Sequence, residues 1–174
     1  MIGAGTTMIV LFAAVVVAVS HADAASRQVP AARYVHRVCV AVSTWEQRVA
    51  VAGLSTPRRL RERKRVLRAY FRDLVRYARA AVKSLKRAGA PAVPGGAHIA
   101  AAVRGAFHDT LVGLEKALTA ANRMPTSSGR AFGKATKTIM QRLVDALGTT
   151  VSALATVSDS PALDAAASRD PACA

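Results

Sequence analysis

The sequence predicts an all-α protein: an antiparallel, up-down four-helix bundle with a short C-terminal helix and a disulfide-tethered tail. Three observations predict it. Apolar residues recur at alternating spacings of three and four over four long segments, the period of a helix buried along one stripe. Gly and Pro cluster at a few places, whereas an all-β chain shows turn signals roughly every 8–12 residues. Ala and Val dominate the apolar side chains while aromatics make up only 5% of the 174 residues, and thin side chains suit closely packed helices. That length fits one domain with its own core.

The chain opens with no charged side chain from Met1 to Val19, and Met8 to Val19 is an unbroken apolar run. The run is short for a spanning helix, which needs about 20 residues. Ala22 and Ala24 form the small-residue pattern that a signal peptidase reads. Residues 1–24 therefore read as a signal peptide and 25–174 as a single bundle domain. The expected location is secreted or extracytoplasmic, associated with the cell envelope. The segment before the run lacks Lys and Arg, which leaves an uncleaved N-terminal membrane anchor as the alternative. Arg27, Arg33 and Arg37 would then lie on the translocated side, against the positive-inside rule.

The first helix is expected from about Ala31 to Leu54, with Val35, Val38, Val42, Trp45, Val49 and Ala52 on one stripe. Ser55-Thr56-Pro57 reads as a break, then a cap with Pro at the first helical position. The second helix runs from there to about Ala88, with Leu60, Leu67, Phe71, Leu74, Ala78, Val82 and Leu85 inward. Gly89 is its expected C-cap, opening a Gly/Pro-rich linker to Gly96. A third helix, about Ala97 to Arg123, turns Ile99, Val103, Ala106, Thr110, Leu114, Leu118 and Ala121 inward. The fourth, about Arg130 to Val157, does so with Phe132, Ala135, Ile139, Leu143, Leu147, Thr150 and Leu154. Ser160-Pro161 starts a short last helix ending near Ser168. Short connections make sequential helices antiparallel neighbours.

Cys39 and Cys173 are the only cysteines. Cys39 sits at the flank of the first helical stripe, and a terminal tail can fold back to it without threading. In an oxidising compartment the two are expected to form a structural disulfide. In the cytosol they would be core residues. No C-x-x-C spacing suggests redox activity.

Several short runs resemble one group of proteins. They are Tyr34-Val35, Val38-Cys39-x-Ala41-Val42-x-x-Trp45, Ser160-Pro161-Ala162-Leu163 and Asp170-Pro171-Ala172-Cys173. Together they resemble small exported proteins and lipoproteins of actinobacteria, a group without an assigned activity. The resemblance implies export and a helical bundle and transfers no active site. The chain departs from the lipoprotein members in lacking a lipobox cysteine, and its second helix is more basic than the group leads one to expect.

That helix carries most of the charge. The chain is formally +15, and Pro57 to Ala88 hold thirteen Lys or Arg against Glu62 and Asp73, a net of +11. With Leu67 as origin and about 100° per residue, Arg61, Arg65, Arg68, Arg72, Arg76, Arg79, Lys83 and Lys86 fall between roughly 100° and 180°. They form a ridge beside and opposite the apolar stripe. The two acids lie on the other flank, so no i+4 partner is expected to neutralise the ridge. The ridge is either a solvated face or a polyanion-binding surface. Anionic lipid or a cell-wall polymer is the favoured partner, an acidic protein the alternative, and nucleic acid the least favoured in an exported protein. Tyr70 and Tyr77 flank the stripe and do not interleave with the ridge as a stacking platform would.

No enzymatic chemistry is expected, and no cofactor or metal. His36, His98 and His108 are isolated in sequence. Gly129-x-x-x-Gly133-Lys134-Ala135-Thr136 has the wrong spacing for a phosphate loop and no preceding strand. Acids are too few to suggest a paired-carboxylate hydrolase.

Overall fold

The computed structural model describes residues 28–53, 55, 57–158 and 160–173, without the side chains at 146, 149–153, 156 and 158. The expected signal segment, residues 1–24, lies outside the described residues, as do Leu54 and Thr56. The protein is mostly helical. In chain order the elements are β1 (Gln28–Val29), α1 (Ala31–Val51), α2 (Leu60–Ala88), β2 (Ala90–Pro91), α3 (Gly96–Arg123), α4 (Gly129–Ser158) and α5 (Pro161–Ala167), followed by a 3-10 turn at Pro171–Cys173. Among the described residues, no helix is long and apolar enough to cross a membrane.

Each long helix forms where the apolar period runs on. Helices α1, α2 and α3 bury or half-bury that stripe. On α4, Phe132, Ile139 and Leu143 are buried, Ala135, Leu147 and Leu154 are half-buried, and Thr150 lies outside the described side chains. Phe71, Leu74, Ala78 and Leu85 of α2 meet Val103, Leu114 and Ala117 of α3 and Val35, Val38 and Trp45 of α1 in one core. Val103, Leu114 and Ala117 are almost wholly buried, as are Phe107 and Ala121, which belong to the same helix. This face of α3 is wider than the expected stripe, and Phe107 and Ala117 were not among the expected inward residues. The reason is position: α3 packs against both α2 and α4. A helix with two neighbours buries two adjacent stripes. Its Ala residues let those neighbours approach closely.

Helix α1 packs on α2, and α5 packs on both α1 and α4. The 3-10 turn after α5 also packs on α1. There a disulfide joins Cys39 to Cys173, with Cα atoms 5.0 Å apart. The tail is held a second time at the same place. The two carboxylate oxygens of Asp170 lie 3.0 and 3.2 Å from His36 Nδ1. Asp170 Oδ1 also accepts from the Ala172 amide at 2.9 Å.

Helix α1 ends at Val51, short of the expected end near Leu54, and two further places differ from expectation. Helix α2 begins at Leu60, not at Pro57, because Arg59 is extended (φ −83°, ψ 133°) and takes the N-cap position. Pro57 stays outside the helix, and its carbonyl accepts from Arg63 Nε. The expected linker after α2 contains β2, which pairs in parallel with β1, Gln28 opposite Ala90 and Val29 opposite Pro91. A two-residue strand leaves no periodic signal, so this pairing was invisible in the sequence. Gly89 does end α2, at φ 83° and ψ −151°, a backbone region essentially confined to glycine.

The C-terminal end of α2 leaves carbonyls without helical partners. Arg37 of α1 donates to the carbonyls of Arg87 and Ala88 at 3.2 and 3.4 Å. Arg104 of α3 donates to that of Gly89 at 3.3 Å. Cations at this end also oppose the partial negative charge of the helix dipole. Three helices are thus tied together where α2 stops.

Candidate functional site

All eight ridge residues are exposed: Arg61, Arg65, Arg68, Arg72, Arg76, Arg79, Lys83 and Lys86. They occupy the face of α2 opposite its buried Leu67, Phe71, Leu74 and Ala78. Burial of that stripe fixes the helix about its axis, and so fixes the direction in which the ridge points.

Neutralisation is partial. No ion pair at the i+4 spacing serves the ridge among the described residues, as expected, but Asp73 pairs with Arg76 at 3.0 Å, an i,i+3 contact. The expectation considered only the i+4 spacing, whereas Arg76 reaches back one shorter step. Glu115 of α3 pairs with Arg79 at 2.7 Å. Arg68 Nε donates to the neutral amide oxygen of Asn122 at 2.6 Å, which positions the guanidinium and leaves its charge unbalanced. Arg61, Arg65, Arg72, Lys83 and Lys86 have no ion pair or hydrogen bond among the described residues.

Tyr77 takes a larger part than its place at the stripe's flank suggested. The Arg76 and Arg48 guanidiniums lie over its ring, 5.1 and 5.7 Å from the centroid. Arg76 also donates to its hydroxyl at 3.3 Å. That hydrogen bond, then the Asp73 carboxylate, raises the Arg76 pKa above its ordinary value. Sequence reasoning missed Arg48 because it lies on another helix, and only the α1–α2 packing brings it to Tyr77.

A groove of about 560 Å³ runs between α1 and α2 beside the ridge. Arg37, Arg48, Arg87 and His36 line it over Val40, Trp45 and Tyr77, and no acid does. A second groove, of about 870 Å³, lies between α3 and α4. Its cations are Lys116, Arg123, Lys134 and Arg142, and its acid is Glu115. Spacings of seven on α3 and eight on α4 were the sequence signal for these four. The larger ridge on α2 masked it.

Among the described residues, no three His, Cys, Asp or Glu converge as a metal site would require. Comparison with protein-family models, curated proteins and solved structures returns no match.

Proposed function

We propose that this is an exported helical protein that binds anionic envelope material, lipid headgroups or a phosphate-bearing wall polymer, through the ridge on α2. The observation that carries this reading is the row Arg61, Arg65, Arg72, Lys83 and Lys86, exposed and without partners among the described residues. From Arg61 to Lys86 the row spans roughly 38 Å at about 1.5 Å per residue. It can therefore meet several phosphates along an extended polymer, with affinity that falls steeply with salt. The Cys39–Cys173 bond supports an oxidising compartment. The apolar run and Ala22-x-Ala24 supply the export signal. An antiparallel up-down course for the four long helices belongs to the same reading, because α1–α2, α2–α3 and α3–α4 pack as sequential neighbours across short connections.

The test is retention on anionic and neutral vesicles, and on purified cell wall, across a salt series. The reading expects retention on the anionic surfaces only, lost as salt rises. Absent or salt-independent retention contradicts it. Capture of one acidic protein in stoichiometric amount, with no retention on vesicles or wall, would favour the acidic-partner alternative.

A further inference from the structure

The α3–α4 groove differs from the ridge in having an apolar floor beneath its charge. Met124 and Ile139 form the deepest part, 3% and 2% exposed. Val112, Ala120 and Ala135 complete it. The polar atoms of the walls are already committed. The Thr119 hydroxyl donates to the Glu115 carbonyl at 3.0 Å, and the Thr138 hydroxyl to that of Lys134 at 3.1 Å. Lys64 Nζ donates to the Met124 carbonyl at 2.7 Å. The wall therefore presents methyl and methylene surface.

The rim has the opposite character. Lys116 and Arg123 stand on the α3 side, Lys134 and Arg142 on the α4 side, and all four are exposed. None has an ion pair or hydrogen bond among the described residues. Glu115, the one acid of the rim, is bound to Arg79 on the neighbouring helix. Four uncompensated cations thus surround an open apolar channel. The volume, about 870 Å³, lies inside the range of about 300–1,000 Å³ usual for small-molecule sites.

We infer that the α3–α4 groove binds a single-chain anionic amphiphile, its alkyl chain along the Met124–Ile139 floor and its phosphate or carboxylate head held by the rim cations. A purely polar anion would leave the floor wet, and a neutral alkane would leave four cations unused. An anion joined to one chain satisfies both. This site lies apart from the ridge and meets it at one point, where Arg79 of the ridge holds Glu115.

The experiment is calorimetric titration of the whole folded protein, below micelle-forming concentrations, with three probes. Dodecyl phosphate carries both features, dodecylphosphocholine keeps the chain with a zwitterionic head, and butyl phosphate keeps the head with a short chain. Dodecyl phosphate is expected to bind one per chain. Dodecylphosphocholine should bind at least about tenfold more weakly, the ratio that loss of one charge-assisted contact gives. Butyl phosphate, about eight methylenes shorter, should bind at least about a hundredfold more weakly through lost apolar burial. Ala131 is exposed on the groove wall. Ala131→Trp should obstruct the channel, and the double change Lys134→Gln, Arg142→Gln should remove one side of the rim. Each should weaken dodecyl phosphate by at least about tenfold. Retention on wall polymer, which reports the ridge, should not change. Circular dichroism checks that each variant folds, and the two change different features, so one suffices if the other does not fold. Equal binding of butyl and dodecyl phosphate, many bound per chain, or indifference to both variants overturns the inference.

Discussion

Cys39 follows the buried Val38 on α1 and is itself partly buried, so its sulfur faces the place where the tail returns. The bond to Cys173 spans 134 residues. Chain entropy alone would put its contribution near an upper figure of about 5 kcal/mol, against about 2–4 kcal/mol for typical disulfides. Replacing both cysteines with Ser should lower the melting temperature, and wild type with reductant should melt like the variant. Coincident melts of oxidised and reduced wild type contradict this. Asp170 acts beside the bond. The Ala172 amide first, then His36, hold its carboxyl below the ordinary carboxylate range, against an opposing effect of burial. A lowered folded pKa means that the unfolded chain takes the proton more readily. The stabilisation is then full above about pH 4 and lost as pH falls through the depressed value. Asp170→Asn should melt below wild type at neutral pH, and the gap should close in acid. A gap of equal size at about pH 3 contradicts the charge argument.

At the scale of elements, the long helices were legible because their apolar stripes repeat over many turns. Leu67, Phe71, Leu74 and Ala78 were expected inward and are buried. Gly89 and Ser160-Pro161 were legible as a stop and a start, and they end α2 and begin α5. Features made by distant segments were not. Nothing local announces that Val29 pairs with Pro91, or that Arg104 caps α2. The close approach at Gly96 is of the same kind. A β-carbon there would overlap the carbonyl oxygen of Pro91, whereas one at Gly105, inside α3, meets nothing within 4 Å. Two Gly→Ala changes on one helix should therefore have opposite signs. Gly105→Ala should stabilise by about 0.4–1 kcal/mol, through lower entropy of the unfolded chain. Gly96→Ala should cost about 1–3 kcal/mol, because β2 must move. Urea unfolding midpoints decide it, and equal signs contradict the account.

Across the whole molecule, the surplus of cations is the dominant physical fact. Ten acids cannot balance twenty-five Lys and Arg, and two of those acids, Asp73 and Glu115, are spent on the ridge. The ridge was legible because a helical wheel collects its members from one segment. Its edges were not, because Arg48 at Tyr77 and Glu115 at Arg79 come from α1 and α3. The most direct test of the central claim is how binding to a glycerol phosphate polymer depends on salt. The logarithm of affinity should fall linearly with the logarithm of salt concentration. The triple variant Arg65→Gln, Arg72→Gln, Lys83→Gln should melt like wild type, since all three side chains are exposed and unpartnered among the described residues. Its slope should be shallower by about two to three, roughly one for each phosphate contact removed. An unchanged slope in the folded triple variant would contradict the claim that the ridge on α2 is the binding surface.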